Sequence, residues 1–395
     1  MNSTKQIPMS SPDITEAERQ AVAEVLNTSS LSMGSRIDRF EQAFMDYTGS
    51  KHAIGVNSGT AGLHLCIRAA DIRTNDLVIT TPFSFVASSN VILFEHAIPV
   101  FVDVEPGTGN IDPSQAAEAA RDLSLGSEAG RKWLPRKMQG KPQQLKAILP
   151  VDVFGQPSDF DLLNSIAVDF DLKVIEDSCE ALGAEYRSRK AGTLGDYGVF
   201  AFYPNKQMTT GEGAVIVTDD DDAANLMRSL RNQGRAPGDT WLQHTHLGYN
   251  YRLDEMSAAL GEVQMSRLDH MIDKRAAVAA WYQERLSDLP GLELPSITPM
   301  TTRMSWFVYV IKFSDDIDRD RVAEELGKLG VPARPYFLPI HLQPYMVSRF
   351  GFREGDFPIT EDLGRRSLAI PFSSVMNEDQ VDYVCQSIES VISIS

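Results

Sequence analysis

The chain has 395 residues, 43% hydrophobic and 23% charged, a balance suited to a globular protein that buries its core without disulfide staples. Its formal net charge of -17 argues against a general binder of nucleic acid or anionic membrane, because both need basic surface. Cys66, Cys179 and Cys385 are too widely spaced for a disulfide framework or a zinc motif, so no metal is expected and a reducing cytoplasm fits best. No apolar run follows Lys5 and no stretch approaches the ~18 apolar residues of a membrane span, so neither a signal peptide nor an anchor is expected.

From about residue 50 to 220, two textures alternate. Short β-branched runs predict strands at Leu77–Thr80, Ile98–Val104, Leu145–Phe154, Leu172–Glu176, Val199–Tyr203 and Ala214–Thr218. Helical patterns lie between several of them, at Ala61–Ala70, Phe85–His96 and Ser158–Asp169, with another helix opening on Asp219–Asp222. Such alternation implies a mainly parallel sheet with helices on both faces. The stretch 121–143 breaks the rhythm with Arg121, Arg131, Lys132, Arg136, Lys137 and Lys141. It reads as a solvated excursion, or more sharply as a flap that meets an anionic substrate or a partner subunit. One long helix is expected from Glu255 to Leu286. Strand material follows at Ile311–Phe313 and Val331–Arg334 around a helix at Asp318–Leu329, and an amphipathic helix ends the chain at Asn377–Ile394. Residues 1–254 therefore read as a large domain and 255–395 as a smaller α+β domain.

Four segments carry chemistry. Asn57-Ser58-Gly59-Thr60-Ala61-Gly62 sits before a helix, where small residues and free N–H groups suit an anion. Glu176-Asp177-Ser178-Cys179-Glu180 ends a strand, at the edge of a parallel sheet where ligands bind. Lys206 follows an apolar strand and a Pro204-Asn205 turn. Partial desolvation there favours the neutral amine that Schiff-base chemistry needs. Leu247-Gly248-Tyr249-Asn250-Tyr251-Arg252 offers an amide and a guanidinium to an anion.

Together these segments resemble the DegT/DnrJ/EryC1/StrS family of pyridoxal 5′-phosphate (PLP)-dependent nucleotide-sugar aminotransferases. The likeness extends to Gly155–Asp159, Ser229–Gly234 and His341–Pro344. It implies PLP fold type I, the aspartate-aminotransferase-like α/β architecture: a mixed, mainly parallel seven-stranded sheet flanked by helices, plus the smaller C-terminal domain. It also implies a homodimer with active sites at the subunit interface. Lys206 would hold PLP as a Schiff base and move protons, and Asp177 would pair with the pyridinium nitrogen. Gly59, Thr60 and Ala61 would hold the phosphate, Phe85 would stack on the ring, and Asn250 would reach the phosphate of the neighbouring subunit. Glu180 stands beside the cofactor where many relatives carry Gln or His. Substrate contacts are expected from Phe83, Tyr203, Arg252 and His341. Three departures stand out: Ala201 for a phosphate-binding Ser, Asp152 for a frequent His, and Ala214 for a usual Gly.

The implied reaction moves an amino group from L-glutamate to a keto sugar on a nucleoside diphosphate. Thr209–Gly213 is more like relatives acting at carbon four, which implies a 4-keto-6-deoxy sugar. The alternatives are amination at carbon three or of a keto-cyclitol. Related sugar 3-dehydratases replace the lysine with histidine, so Lys206 speaks for amine transfer. A non-catalytic sugar-nucleotide-binding regulator would be expected to have lost Lys206 or Asp177.

Overall fold

The computed structural model describes residues 6–125, 128–139 and 143–393. Met1–Lys5, Lys141 and Ile394, used in the expectations above, lie outside the described residues. Two N-terminal helices, α1 (Glu16–Leu26) and α2 (Ser35–Thr48), precede β1 (His52–Val56) and α3 (Gly59–Ala69). Then come β2 (Leu77–Thr80), α4 (Ala87–Phe94), β3 (Ile98–Phe101), α5 (Pro113–Ser124), β4 (Leu145–Leu149), α6 (Phe160–Phe170) and β5 (Lys173–Asp177). A small hairpin, β6 (Glu185–Tyr186) and β7 (Arg189–Lys190), leads to β8 (Tyr197–Ala201), β9 (Ala214–Thr218) and α7 (Asp221–Arg231).

Seven of these strands form one sheet in the order β1-β9-β8-β5-β4-β2-β3. Neighbours from β8 to β3 pair parallel, whereas β9 runs antiparallel to both β8 and β1. Strands β2, β3, β8 and β9 are almost wholly buried, as expected of strands covered on both faces. Helix α3 lies very close to this sheet. A Cβ placed on Gly62 would come within 2.8 Å of Val199, so only glycine lets the helix approach.

The remaining elements begin with α8 (Glu255–Ser266) and α9 (Leu268–Leu286). The helix expected to run unbroken from Glu255 is divided at Arg267, whose guanidinium bonds Asp13 and Glu18. A periodic pattern cannot register such a break, because both halves keep their buried faces. Further on lie β10 (Leu292–Glu293), β11 (Thr301–Arg303), β12 (Tyr309–Phe313), α10 (Arg319–Lys328), β13 (Arg334–Pro335), α11 (Pro344–Phe350), α12 (Pro358–Arg366), β14 (Ser367–Ile370) and α13 (Glu378–Ile392). A second sheet, β10-β12-β14-β13, shares a core with α9, α10 and α13 through Tyr282, Ile311, Leu326 and Ile388. Strand β11 joins the hairpin β6-β7.

Three strand expectations shorten, and the one at Ile98–Val104 ends at Phe101. The run at Leu145–Phe154 stops at Leu149, before Pro150, and continues as a loop in which Phe154 takes a φ of 61°. Of the Val331–Arg334 run only Arg334 pairs in a sheet, with Pro335 beyond it. The described residues of the basic segment, 121–125 and 128–139, fold onto their own chain. Arg136 makes a bidentate contact with Asp356, Lys137 donates to the Ser348 carbonyl, and Lys132 pairs with Glu118 and Asp122.

Candidate active site

The candidate site forms where the parallel strands end. Asp177 is the last residue of β5 and is buried. Its Oδ2 accepts from the Ser88 hydroxyl at 2.6 Å, and its Oδ1 accepts from the Cys179 N–H at 3.2 Å. Ser88 comes from α4, so this helix orients the carboxylate on β5. Beneath Asp177, buried Asp152 and Glu176 share the Ser178 hydroxyl at 2.7 and 2.9 Å. Burial, with Glu176 alongside, raises the Asp152 carboxyl well above its ordinary range.

The start of α3 faces the same edge. Ser58 caps it by accepting from the Ala61 N–H at 3.1 Å. Among the described residues, nothing accepts from the N–H groups of Gly59 or Thr60, leaving two helix-start donors for an anion. A Cβ on Gly59 would lie 2.9 Å from Ala201 Cβ and 3.1 Å from Cys179 Sγ. The glycine therefore seats the loop between the ends of β8 and β5. Burial pushes the Cys179 thiol up, which makes it a neutral wall.

Lys206 follows β8 by a tight turn in which its N–H donates to the Tyr203 carbonyl at 2.9 Å. Its side chain is only 13% exposed. Nζ stands 3.5 Å from Glu180 Oε1 and 3.7 Å from the centre of the Phe307 ring. Buried Arg275 from α9 fixes this turn. Its guanidinium donates to the carbonyls of Lys206 at 2.6 Å, Asn205 at 3.4 Å, and Trp306 and Phe307 at 3.1 Å. Burial alone brings the Arg275 guanidinium down to about 10.

The structure thus brings together Lys206, Asp177, Glu180, Gly59, Thr60 and Ala61. Phe85 precedes α4 and is 64% exposed, with its carbonyl accepting from Ser88 at 3.4 Å. Asn250 is exposed, and its carbonyl accepts from Asn57 at 3.3 Å. Tyr203 is exposed, and Arg252 donates to Asn232 Oδ1 at 3.0 Å. Phe83 is buried against Phe154 and Phe337. The expectation of a substrate contact at His341 is corrected. That residue is wholly buried, its Nε2 is bonded to Glu361 at 2.9 Å, and its ring packs on Phe357. Ser88, Phe307 and Arg275 were missed, because each reaches the site from a distant segment with no motif of its own.

A mostly buried lysine and a buried carboxylate at the carboxyl edge of a mixed seven-stranded sheet, beside a capped helix start, define an enzyme of the aminotransferase type. The family model for the DegT/DnrJ/EryC1/StrS aminotransferase family matches residues 12–389. The chain belongs to this family, and with it to the PLP-dependent aminotransferases. It is 35% identical to the GDP-perosamine synthase of Caulobacter vibrioides over 395 residues, covering 99% of this chain and 100% of that one. It is 32% identical to the spore coat polysaccharide biosynthesis protein SpsC of Bacillus subtilis, covering 98% of this chain and 97% of that one. Among solved structures, Helicobacter pylori PseC, an aminotransferase involved in the biosynthesis of pseudoaminic acid, superposes with a TM-score of 0.87 at 27% identity, covering 99% of this chain and 100% of that one. Among the described residues, no helix is long and apolar enough to cross a membrane.

Proposed function

We propose that this chain transfers an amino group from L-glutamate to a keto sugar carried by a nucleoside diphosphate, with a 4-keto-6-deoxy sugar as the preferred acceptor. The observation that carries the reading is Lys206 Nζ, held in a mostly buried site at the sheet edge that Asp177 and the start of α3 also occupy. The residues present fit PLP. Gly59 and Thr60 offer free N–H groups for its phosphate, Asp177 an oriented carboxylate for its ring nitrogen, and Phe85 an exposed face for its ring.

Bound there, PLP supplies an electron sink that acidifies the carbon bearing the amino group. The protein's task is then to place and move protons. Lys206 Nζ takes a proton from one carbon and returns it to another, as a general base and then a general acid. Asp177 stays aligned because Ser88 and the Cys179 N–H hold both of its oxygens. Arg275 keeps the lysine turn from drifting. The nucleotide supplies binding energy far from the reacting carbon.

The sugar acceptor rests on relatives named for sugar pathways and on the Thr209–Gly213 run. A second subunit is part of the proposal. Phe85, Tyr203, Trp241, Leu242 and Leu247 are large apolar side chains left exposed, and exposed Asn250 is suited to complete a neighbour's phosphate site. A panel of keto-sugar nucleotides and keto-cyclitols, each with L-glutamate, tests the reading. Formation of 2-oxoglutarate fastest with a 4-keto-6-deoxy sugar nucleotide supports it, and turnover confined to keto-cyclitols or 3-keto sugars contradicts it.

A further inference from the structure

A second carboxyl group touches Lys206 and has no task in the reaction outlined above. Glu180 lies three residues beyond Asp177, and its side chain is only 8% exposed. Oε2 accepts from the N–H of Phe154 at 3.0 Å. That N–H is available because the loop after β4 carries Phe154 into a left-handed conformation with φ 61°. Such a backbone is uncommon for a bulky residue and persists only where its surroundings hold it. With Oε2 fixed, Oε1 is turned toward Lys206 Nζ at 3.5 Å.

Among the described residues, Asp177, Cys179 and Tyr336 also act on Glu180. None of them supplies a positive charge. Burial raises the Glu180 carboxyl, and Lys206 is the first influence pulling it back, with the Phe154 N–H next. The charge of Glu180 therefore depends on the charge of Lys206. While the lysine is an ammonium, the carboxylate has its counter-ion. Once the lysine loses that charge, a buried carboxylate faces Asp177 unpaired, and protonation becomes the cheaper state.

We propose that Glu180 is the proton store of the Lys206 site. It takes one proton from Nζ when the lysine becomes neutral and gives it back when the ammonium re-forms. The step is Lys206–NH3+ plus Glu180–COO- going to Lys206–NH2 plus Glu180–COOH, with no other reactant and no change in net charge. An amide at this position would hold the Phe154 N–H through its oxygen and could not store the proton. This inference rests on the functional reading above, yet its first test needs no cofactor.

In the cofactor-free full chain, Lys206 is labelled by reductive methylation at pH 8 and followed by peptide mass spectrometry. Glu180→Gln removes the counter-charge and is expected to speed labelling roughly tenfold, given that a close opposite charge is worth about one pKa unit or more. Glu180→Asp, one methylene shorter, is expected to fall between the two. Equal labelling rates in a folded Glu180→Gln protein would overturn the proposal. Should that variant fail to fold, Glu180→Asp carries the test, and labelling of that folded variant at the wild-type rate overturns the proposal. Failure to bind PLP at all would instead sink the functional reading.

Discussion

Ser88 lies 89 positions from Asp177 in sequence and 2.6 Å from it in space. That pair shows what the residues alone could and could not reveal. Asp177 and Lys206 were legible because each sits at the end of an apolar strand, within a motif whose spacing narrows the fold. Ser88 was not, because a serine in an apolar helix carries no local sign of its partner. His341 misled for the converse reason: a histidine in a recognisable run gives no hint that its ring is sealed among Phe352, Phe357 and Glu361. Replacing Ser88 by Ala leaves Asp177 with one of its two hydrogen bonds. A hydrogen bond to a charged group contributes about 1.5 kcal/mol, so kcat/KM should fall roughly tenfold. Steady-state kinetics beside a melting curve will check this. A lower melting temperature with unchanged kcat/KM would mean that Ser88 serves packing alone.

At the scale of elements, β2 to β5, β8, β9 and the helices α3, α4, α6 and α7 were legible, because buried strands are apolar and capped helices announce their starts, whereas β1, α5 and the β6-β7 hairpin were not read. The break at Arg267 and the early end of β4 were not legible either. One depends on a guanidinium reaching Asp13 and Glu18. The other follows from Pro150 and from the Phe154 N–H meeting Glu180. The ends of β4 and β5 are joined by Asp152, which accepts from the Ser158 N–H at 2.9 Å and from the Ser178 hydroxyl at 2.7 Å. Burial, then Glu176, raises its pKa in the folded state. The stability linked to that proton is fully present below the ordinary carboxylate value and is lost as pH rises through the raised one. Asp152→Asn resembles the protonated form and removes this loss. Its melting temperature is expected to match or exceed that of the wild type at pH 8, with less or no gain at pH 5. A variant less stable at pH 8 than at pH 5, relative to wild type, would contradict the assignment.

At the scale of the whole molecule, the fold class follows from the strand–helix alternation, whereas the proposed completion of the site by another subunit depends on surfaces that one chain's pattern cannot display. Exposed Asn250 and the apolar group around Trp241 make a specific prediction about shared sites. Lys206→Ala and Asn250→Ala are each expected to be nearly inactive alone. When the two are co-refolded, about half of the dimers are mixed, and one site in each mixed dimer has both native residues. Activity should therefore recover to about a quarter of wild type, as two-fold symmetry requires. No recovery would mean that Asn250 serves its own chain. The most direct test of the central claim is chemical. The PLP-loaded enzyme is reduced with borohydride, digested and mapped by mass spectrometry. The account predicts one phosphopyridoxyl label, on Lys206. A label on another lysine, or none, would contradict it.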